Sequence, residues 1–247
     1  MARIIPIWVL LISATLMISS TSEESPEVTQ SLVRFMETLS ERTPPPIQNW
    51  GWSPGSDPCT WTGVFCHPET RSVTGIILNG YNFTGRFDAA SLCHLAPPPS
   101  LYVLDLRNNG IFSLLPPEIG ECKTLTDLYL AGNRFTGRVP SSISMLGNLG
   151  RVDISGNFFA GRIPTELTWI SSLVSFKAQN NRLTGEIPLF SVNKLLEFDV
   201  SNNDFVGRIP DAYGGFPESC FQGNAGLCGH PLPIACPPAP AQSPSYW

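Results

Sequence analysis

The sequence predicts an α/β repeat solenoid whose two ends are closed by disulfide-stapled caps. The first observation is a repeated unit, since LTDLYLAGNRFTGRVPSSISMLGN at 125–148 recurs 24 residues later as LGRVDISGNFFAGRIPTELTWISS. The second is a pair of closely spaced cysteines on either side of the repeats, and the third is an apolar N-terminal leader. A period of this length is the signature of solenoid architectures.

About six units cover residues 73–210, and their shared pattern explains why they stack. The start of each unit alternates between apolar and polar residues, as a short strand does. Successive strands are therefore expected to pair into a parallel sheet with the leucines behind it. A single unit buries too little apolar surface to offset the entropy of ordering its backbone. Stacked neighbours bury both faces of every coil. The units begin at Val73, Leu101, Leu125, Leu149, Leu173 and Leu195.

An asparagine recurs at the point where each strand ends. In that turn its amide can bond backbone groups of its own coil and of an adjacent coil, which satisfies both ends of a buried amide. The first unit departs from the pattern, because Tyr81 occupies this place. The predicted ladder consists of Asn109, Asn133, Asn157, Asn181 and Asn203.

Residues 1–22 have the features of a secretory signal peptide. Arg3 is followed by an apolar run and then by small polar residues. No second apolar run of about 20 residues follows, so we expect no transmembrane helix in the chain as given. Seven cysteines in such a chain indicate an oxidising compartment.

Residues 23–72 are predicted to form the N-terminal cap. A helix begins with Ser25 as N-cap and Pro26 as first residue, presents one apolar face, and stops at prolines 44–46. A disulfide between Cys59 and Cys66 staples the remainder of the cap. A metal site at these cysteines is disfavoured, because His67 is the one other ligand nearby.

The C-terminal cap is predicted at residues 211–236. Its staple is a disulfide between Cys228 and Cys236, which lie among Gly and Pro turns. Residues 237–247 are rich in proline and serine and lack core-forming residues, so we expect an extended tail.

Three cysteines remain outside these two staples. Cys122 occupies a core leucine position, so it is predicted to be a free, buried thiol that behaves as a small apolar residue. Cys93 and Cys220 have no assigned partner, because the connectivity of cysteines does not follow from sequence alone.

Composition and motifs exclude several functional classes. Acidic residues outnumber basic ones, 20 to 15, so no broad basic field attracts nucleic acid. The three histidines are scattered, and no protease, hydrolase, phosphate-loop or kinase motif occurs. The chain is therefore predicted not to be an enzyme and to need no cofactor or metal. The sequon Asn82-Phe83-Thr84 predicts a glycan on the first unit.

The solvent side of the strands is the predicted binding surface. Neighbouring units place Asp127 beside Arg151, and Asp153 beside Lys177. Each pair alone is more simply a solvated ion pair worth under about 1 kcal/mol, whereas the whole face presents mixed charge to a peptide or protein. Tyr129 is its one aromatic anchor. The candidate binding residues are Tyr129, Arg151, Asp153, Lys177 and Gln179, and other outward residues include Asp105, Arg107, Glu197 and Asp199.

Three stretches carry a family resemblance: the cap WGWSPGSDPCTWTGVFC, the repeats LYLAGNRFTGRVPSSI and DISGNFFAGRIPTEL, and the ending SCFQGNAGLCGHPLPIAC. They resemble the extracellular part of a plant leucine-rich-repeat receptor-like kinase, and the six repeats resemble the subfamily with short ectodomains and many inactive kinases. The resemblance implies a horseshoe of plant-type repeats that binds a peptide or protein ligand or another receptor ectodomain.

In that family a membrane helix and a kinase follow the point where this sequence stops. We therefore expect either a secreted, apoplastic protein or a truncated receptor of the plasma membrane. Two other functions use the same repeats. A secreted inhibitor of cell-wall hydrolases usually has more repeats and a differently spaced cap. A cell-wall structural protein has a long tail with Ser-Pro-Pro-Pro runs, which are missing here. The coding sequence after Trp247 would distinguish these classes.

Overall fold

The computed structural model describes residues 26–40, 51–93, 101–191 and 193–238. These residues wind into stacked coils, which confirms the predicted α/β repeat solenoid with a disulfide in each cap. The predicted signal peptide, the N-cap Ser25, the prolines at 44–46 and the tail beyond residue 238 lie outside the described residues. No helix in the described part of the chain is both long and apolar enough to cross a membrane.

One strand from the N-terminal cap and one from each of the six coils form a seven-stranded sheet, which we call the main sheet. Its strands are β1 (Val64–Cys66), β2 (Val73–Ile77), β3 (Val103–Asp105), β4 (Asp127–Tyr129), β6 (Arg151–Asp153), β8 (Ser175–Lys177) and β10 (Glu197–Asp199). They are adjacent in that order; β1 is antiparallel to β2, and the other pairs are parallel. Because Leu104, Leu128 and Val152 align across the sheet, one side of every strand faces the core.

A second sheet lies beyond the asparagine turn of each coil, and we call it the lateral sheet. Its strands are β5 (Thr136–Gly137), β7 (Phe158–Gly161), β9 (Arg182–Gly185), β11 (Asp204–Arg208) and β12 (Gly226–Cys228). All of them pair in parallel, in the order β12-β11-β9-β7-β5. The sequence pattern does not predict these strands, because segments of two to five residues show too little alternation to be recognised.

Short helices close the coils on the side opposite the main sheet. The first coil has α2 (Ala89–Cys93), and later coils have the 3-10 helices Pro117–Glu121, Ser141–Met145, Thr165–Trp169 and Asp211–Gly215. A proline immediately precedes most of these helices and has an extended backbone. Its restricted φ sets the turn from the lateral sheet into the helix.

The ladder asparagines tie each coil to the preceding one. Asn157 Nδ2 donates to the carbonyl oxygens of Leu130 (3.0 Å), Ile154 (3.0 Å) and Ser155 (3.1 Å). Its Oδ1 accepts a hydrogen bond from the Phe135 N–H at 3.0 Å. The same four bonds recur at Asn109, Asn133, Asn181 and Asn203.

The residue before each ladder position has a left-handed backbone. In the second coil this residue is Asn108 with a φ of 55°, and in the third it is Gly132 with a φ of 67°. Only glycine and asparagine adopt this conformation readily. This backbone requirement explains why each ladder asparagine is preceded by either glycine or asparagine.

The N-terminal cap consists of α1 (Pro26–Ser40) and the segment around β1. The apolar face of α1 is buried, as predicted, and Phe35 meets Phe87 of the first repeat edge-on with ring centroids 5.9 Å apart. The last turn of α1 accepts hydrogen bonds from Gly85 and Arg86 through its free carbonyl oxygens. A disulfide joins Cys59 to Cys66 in the rest of the cap.

The C-terminal cap adds one more asparagine, Asn224, to the ladder, and this rung was not among the predicted positions. Asn224 donates to the carbonyl oxygens of Val200, Phe221 and Gln222, and accepts from the Phe205 N–H. Residues 221–224, Phe-Gln-Gly-Asn, have the same pattern as the Leu-Ala-Gly-Asn of residues 130–133, so this rung could have been predicted from the sequence.

Aromatic residues close the C-terminal end of the core. Phe198 stacks on Tyr213 with centroids 4.7 Å apart and also contacts Phe216 and Phe221. The Tyr213 hydroxyl donates to the Pro188 carbonyl at 2.8 Å, which satisfies a polar group in an otherwise apolar end. The disulfide Cys228–Cys236 lies beside this cluster in sequence.

The prediction that Cys122 is a free thiol was wrong, because it forms a disulfide with Cys93. Cys93 ends α2, Cys122 follows the 3-10 helix of the next coil, and these two helices pack together. Equivalent places in successive coils are close enough for a disulfide, and here the Cα atoms are 4.5 Å apart. The extra residues before Leu101 obscured this equivalence. Cys220 is the free cysteine among the described residues.

Candidate partner-binding face

The solvent side of the main sheet, which we call the concave face, begins with an ion pair between Asp105 and the partly exposed Arg107. Asp105 aligns with Tyr129 on this side of the sheet, as predicted, but Arg107 and Asn79 cover it, so that only 4% of it is exposed. Arg107 donates to it from the backbone N–H, Nε and Nη2, with the Nη2–Oδ2 distance at 2.6 Å. Burial opposes ionisation, but the bonds from Arg107 outweigh it and hold the pKa of Asp105 below its usual value.

Tyr129 is held in place from two directions. The guanidinium carbon of Arg107 lies 4.7 Å from the centroid of its ring. The Tyr129 hydroxyl donates to Asp127 Oδ1 at 3.0 Å. Burial and this bond raise the pKa of Tyr129 to about 12. Tyr129 is thus a fixed, half-buried platform rather than a free aromatic anchor.

The network continues into the next coil through Asp127. Arg151 Nη1 donates to Asp127 Oδ1 at 3.1 Å, so these two residues are paired across β4 and β6. Thr126 donates to the other carboxylate oxygen at 2.7 Å. Arg107, Tyr129, Asp127 and Arg151 therefore form one continuous polar row.

A second row lies on β8 and β10. Lys177 is aligned with Asp153, as predicted, but its Nζ pairs with Glu197 Oε2 at 2.9 Å instead. Ser175 donates to the same oxygen at 2.8 Å. The bonds from Lys177 and Ser175 hold the pKa of Glu197 below its usual value. Glutamate reaches Lys177 diagonally because its side chain is longer than that of aspartate.

Two carboxylates on the concave face form no salt bridge among the described residues. Asp153 Oδ1 accepts from the N–H and hydroxyl of Ser155, and Asp199 Oδ1 accepts from the Ser201 N–H. Both aspartates align with Lys177, one on each side. The face carries five carboxylates and three cations in all, so its unpaired charge is negative.

The remaining predicted residues lie apart from these rows. Gln179 follows β8, and its Oε1 is buried without a hydrogen-bond partner among the described residues. Asn82 is exposed on the turn of the first coil, where a glycan would meet solvent. Among the described residues no group of three His, Cys, Asp or Glu side chains is arranged to hold a metal ion.

Comparison with known proteins identifies the family. The model for "Leucine rich repeat N-terminal domain" matches residues 28–67, and that for "Leucine Rich Repeat" matches residues 100–122 and 124–146. A crystal structure of pollen receptor kinase 3 matches with a TM-score of 0.67 and 32% identity, covering 75% of this chain and 90% of that one. The chain belongs to the leucine-rich-repeat receptor-like kinases of plants.

Two further relatives of this leucine-rich-repeat chain are informative. Pollen receptor-like kinase 5 of Arabidopsis thaliana is 41% identical over 210 residues, which cover 81% of this chain and 29% of that protein. The Arabidopsis receptor kinase HAESA, solved in complex with the peptide hormone IDA and the co-receptor SERK1, matches with 25% identity and a TM-score of 0.50. The HAESA match covers 76% of this chain and 39% of that one. The chain spans less than a third of the length of the first curated relatives that it matches.

Proposed function

We propose that this chain is the extracellular partner-binding module of a receptor-like kinase, and that it acts in peptide perception or receptor association without catalysis. The observation that carries the proposal is the concave face. Its two rows are held together by salt bridges, and Asp153 and Asp199 lie on either side of Lys177 without a salt bridge of their own. The complex of HAESA with a peptide hormone and a co-receptor supports the same use of a related fold.

The geometry favours a peptide ligand that carries at least one basic group. An arginine or lysine of the ligand would pair with Asp153 or Asp199, while its backbone crosses the platform made by Tyr129 and Arg107. The described residues of this face are mostly charged or polar, so its contacts are charge-assisted hydrogen bonds at a partly wet surface. We expect weak binding by this ectodomain alone. A second receptor ectodomain would add the rest of the roughly 8 kcal/mol that an affinity of about 1 µM requires.

The test is a double substitution, Tyr129→Ala with Asp153→Asn, followed by titration calorimetry with basic peptides and receptor ectodomains. We expect at least a tenfold weaker affinity, roughly 1.4 kcal/mol, because one change removes the platform and the other removes a carboxylate that would pair with the basic group of the ligand. The matched control is Trp169→Ala with Asp204→Asn. It removes one aromatic ring and one carboxylate at exposed positions outside the concave face.

Equal affinities for the two double variants would contradict the concave-face assignment. The receptor assignment has its own test, which is to sequence the transcript beyond Trp247. A membrane span and a kinase in the same reading frame are expected. A long Pro-rich repeat in that position would instead support a cell-wall structural protein.

A further inference from the structure

The lateral sheet carries a group of arginines without anionic partners. In the described part of the chain, four Arg or Lys side chains have neither an ion pair nor a side-chain hydrogen bond: Arg134, Arg138, Arg162 and Arg182. All four are exposed, and all lie in or beside β5, β7 and β9. We call them the arginine strip. They lie together on one face of a chain whose net charge is −5, so general basicity does not explain them.

The arginine strip is ordered by its contacts with the next coil. A Cβ added to Gly161 would lie 3.3 Å from Arg138 Cγ, and one added to Gly185 would lie 2.8 Å from Arg162 Cγ. The arginine stems therefore lie across these glycines. Arg134 and Arg138 belong to the third coil, Arg162 to the fourth and Arg182 to the fifth, and neighbouring coils are separated by a strand spacing of roughly 4.8 Å.

An aromatic ring lies within the arginine strip. Phe158 aligns with Thr136 of the preceding coil, and the guanidinium carbon of Arg182 lies 4.9 Å from its ring centroid. Phe158 nevertheless keeps 40% of its surface exposed. The surface thus offers planar cations and an accessible apolar ring side by side.

The cationic section is confined to three coils. In the next coil Glu186 takes the place of the arginine and lies beside Gly207, with Cγ 3.2 Å from a Cβ added there. In the coil after that, Arg208 is paired with Asp211 at 3.0 Å. The strip therefore accepts a short stretch of a linear ligand rather than a continuous polyanion along the whole solenoid.

We propose that the arginine strip binds a linear polysaccharide of carboxylated sugars. Arginine holds carboxylates through paired hydrogen bonds, and an aromatic ring packs against the C–H face of a sugar. A polymer with one carboxylate on each ring supplies a row of charges, whereas an acidic protein surface would have to present a separate side chain to each coil. This site is on a different side of the coils from the concave face and does not depend on the function proposed for that face.

The probe is polygalacturonate, with its methyl ester as the uncharged form. The test variant is Arg162→Gln with Arg182→Gln, and the control is Arg34→Gln with Arg208→Gln. Both variants lose two positive charges, but the control arginines already have carboxylate partners, Asp88 and Asp211.

We expect polygalacturonate affinity to fall about tenfold or more in the test variant and less than about twofold in the control. Phe158→Ser should weaken it several-fold.

Folding is checked by the thermal midpoint of each variant. If Arg162→Gln lowers that midpoint, Arg162→Lys serves in its place, because it keeps the stem and the charge but lacks the planar fork. Binding that is equal for polygalacturonate and its methyl ester would overturn the proposal. So would equal losses in the test and control variants.

Two other ligands would also be revealed by the same experiment. Tighter binding of polyglutamate, unaffected by Phe158→Ser, would assign the strip to an acidic polypeptide and reject the sugar. Capture of vesicles with anionic lipid, in the absence of polygalacturonate binding, would assign it to a membrane surface. The concave variant Tyr129→Ala with Asp153→Asn should bind polygalacturonate normally, which separates this proposal from the function of the concave face.

Discussion

At the scale of single residues, the ladder asparagines determine how the coils are held together. Asn157 is 4% exposed and makes four hydrogen bonds to backbone groups. An apolar residue of similar size fills the same space but leaves those buried backbone groups unpaired. The cost of an unpaired buried group exceeds the gain from a few added apolar contacts.

The substitution Asn157→Leu should lower the free energy of unfolding by about 3 kcal/mol or more, because it leaves the Phe135 N–H and two carbonyl groups without partners. A thermal melt of the purified chain measures this. The control is Asn148→Leu, an exposed asparagine in the preceding coil with one long bond of 3.4 Å. Equal midpoints for the two variants would mean that the ladder contributes little.

At the scale of elements, the contact between α1 and the first repeat has almost no free space. A Cβ on Gly85 would lie 2.0 Å from the Thr38 carbonyl oxygen at the end of α1. The backbone of Gly85 also donates to Leu39 at 2.8 Å. Glycine at this place allows the helix end to meet the repeat backbone directly.

Gly85→Ala should therefore displace α1 and destabilise the chain by about 2 kcal/mol or more. Hydrogen exchange of the α1 amides, measured by mass spectrometry, should increase. Gly147→Ala is the matched control, because nothing lies within 4 Å of the added Cβ. Unchanged exchange in Gly85→Ala would show that α1 does not depend on this close approach.

The disulfides also act between elements, since Cys93–Cys122 connects two coils. Peptide mapping without reduction should find Cys59–Cys66, Cys93–Cys122 and Cys228–Cys236, and alkylation of the unfolded chain should label Cys220. A peptide that links Cys220 to Cys93 would contradict this arrangement.

At the scale of the whole molecule, the solenoid separates its functions onto different sides. The concave face has an excess of carboxylates, while the lateral sheet holds the unpaired arginines. The caps cover the two ends of the apolar core, which would otherwise be exposed to solvent and to other chains. The aromatic cluster around Phe198 is the clearest case, as its partners Tyr213, Phe216 and Phe221 all belong to the cap or its approach.

A stop codon after Pro210 should therefore cause aggregation, since it exposes Phe198 and removes the Asn224 rung. Size-exclusion chromatography of the purified chain measures the outcome. A stop after Pro238 is the control and should leave a monodisperse protein. A monodisperse product from the shorter chain would show that the last coil does not need this cap.

The sequence by itself determined the period, the core leucines, the ladder positions, the helix of the N-terminal cap and the closely spaced cysteine pairs. Each of these depends on residues near one another in the chain, where spacing alone decides which side of a strand or helix is buried. The tertiary structure alone decided contacts between coils, such as Cys93–Cys122, Lys177 with Glu197, and Arg182 with Phe158. These contacts depend on which residues of neighbouring coils lie next to each other. A change in the length of one coil, or a longer side chain, gives a residue a different contact partner while the repeat pattern of the sequence stays the same.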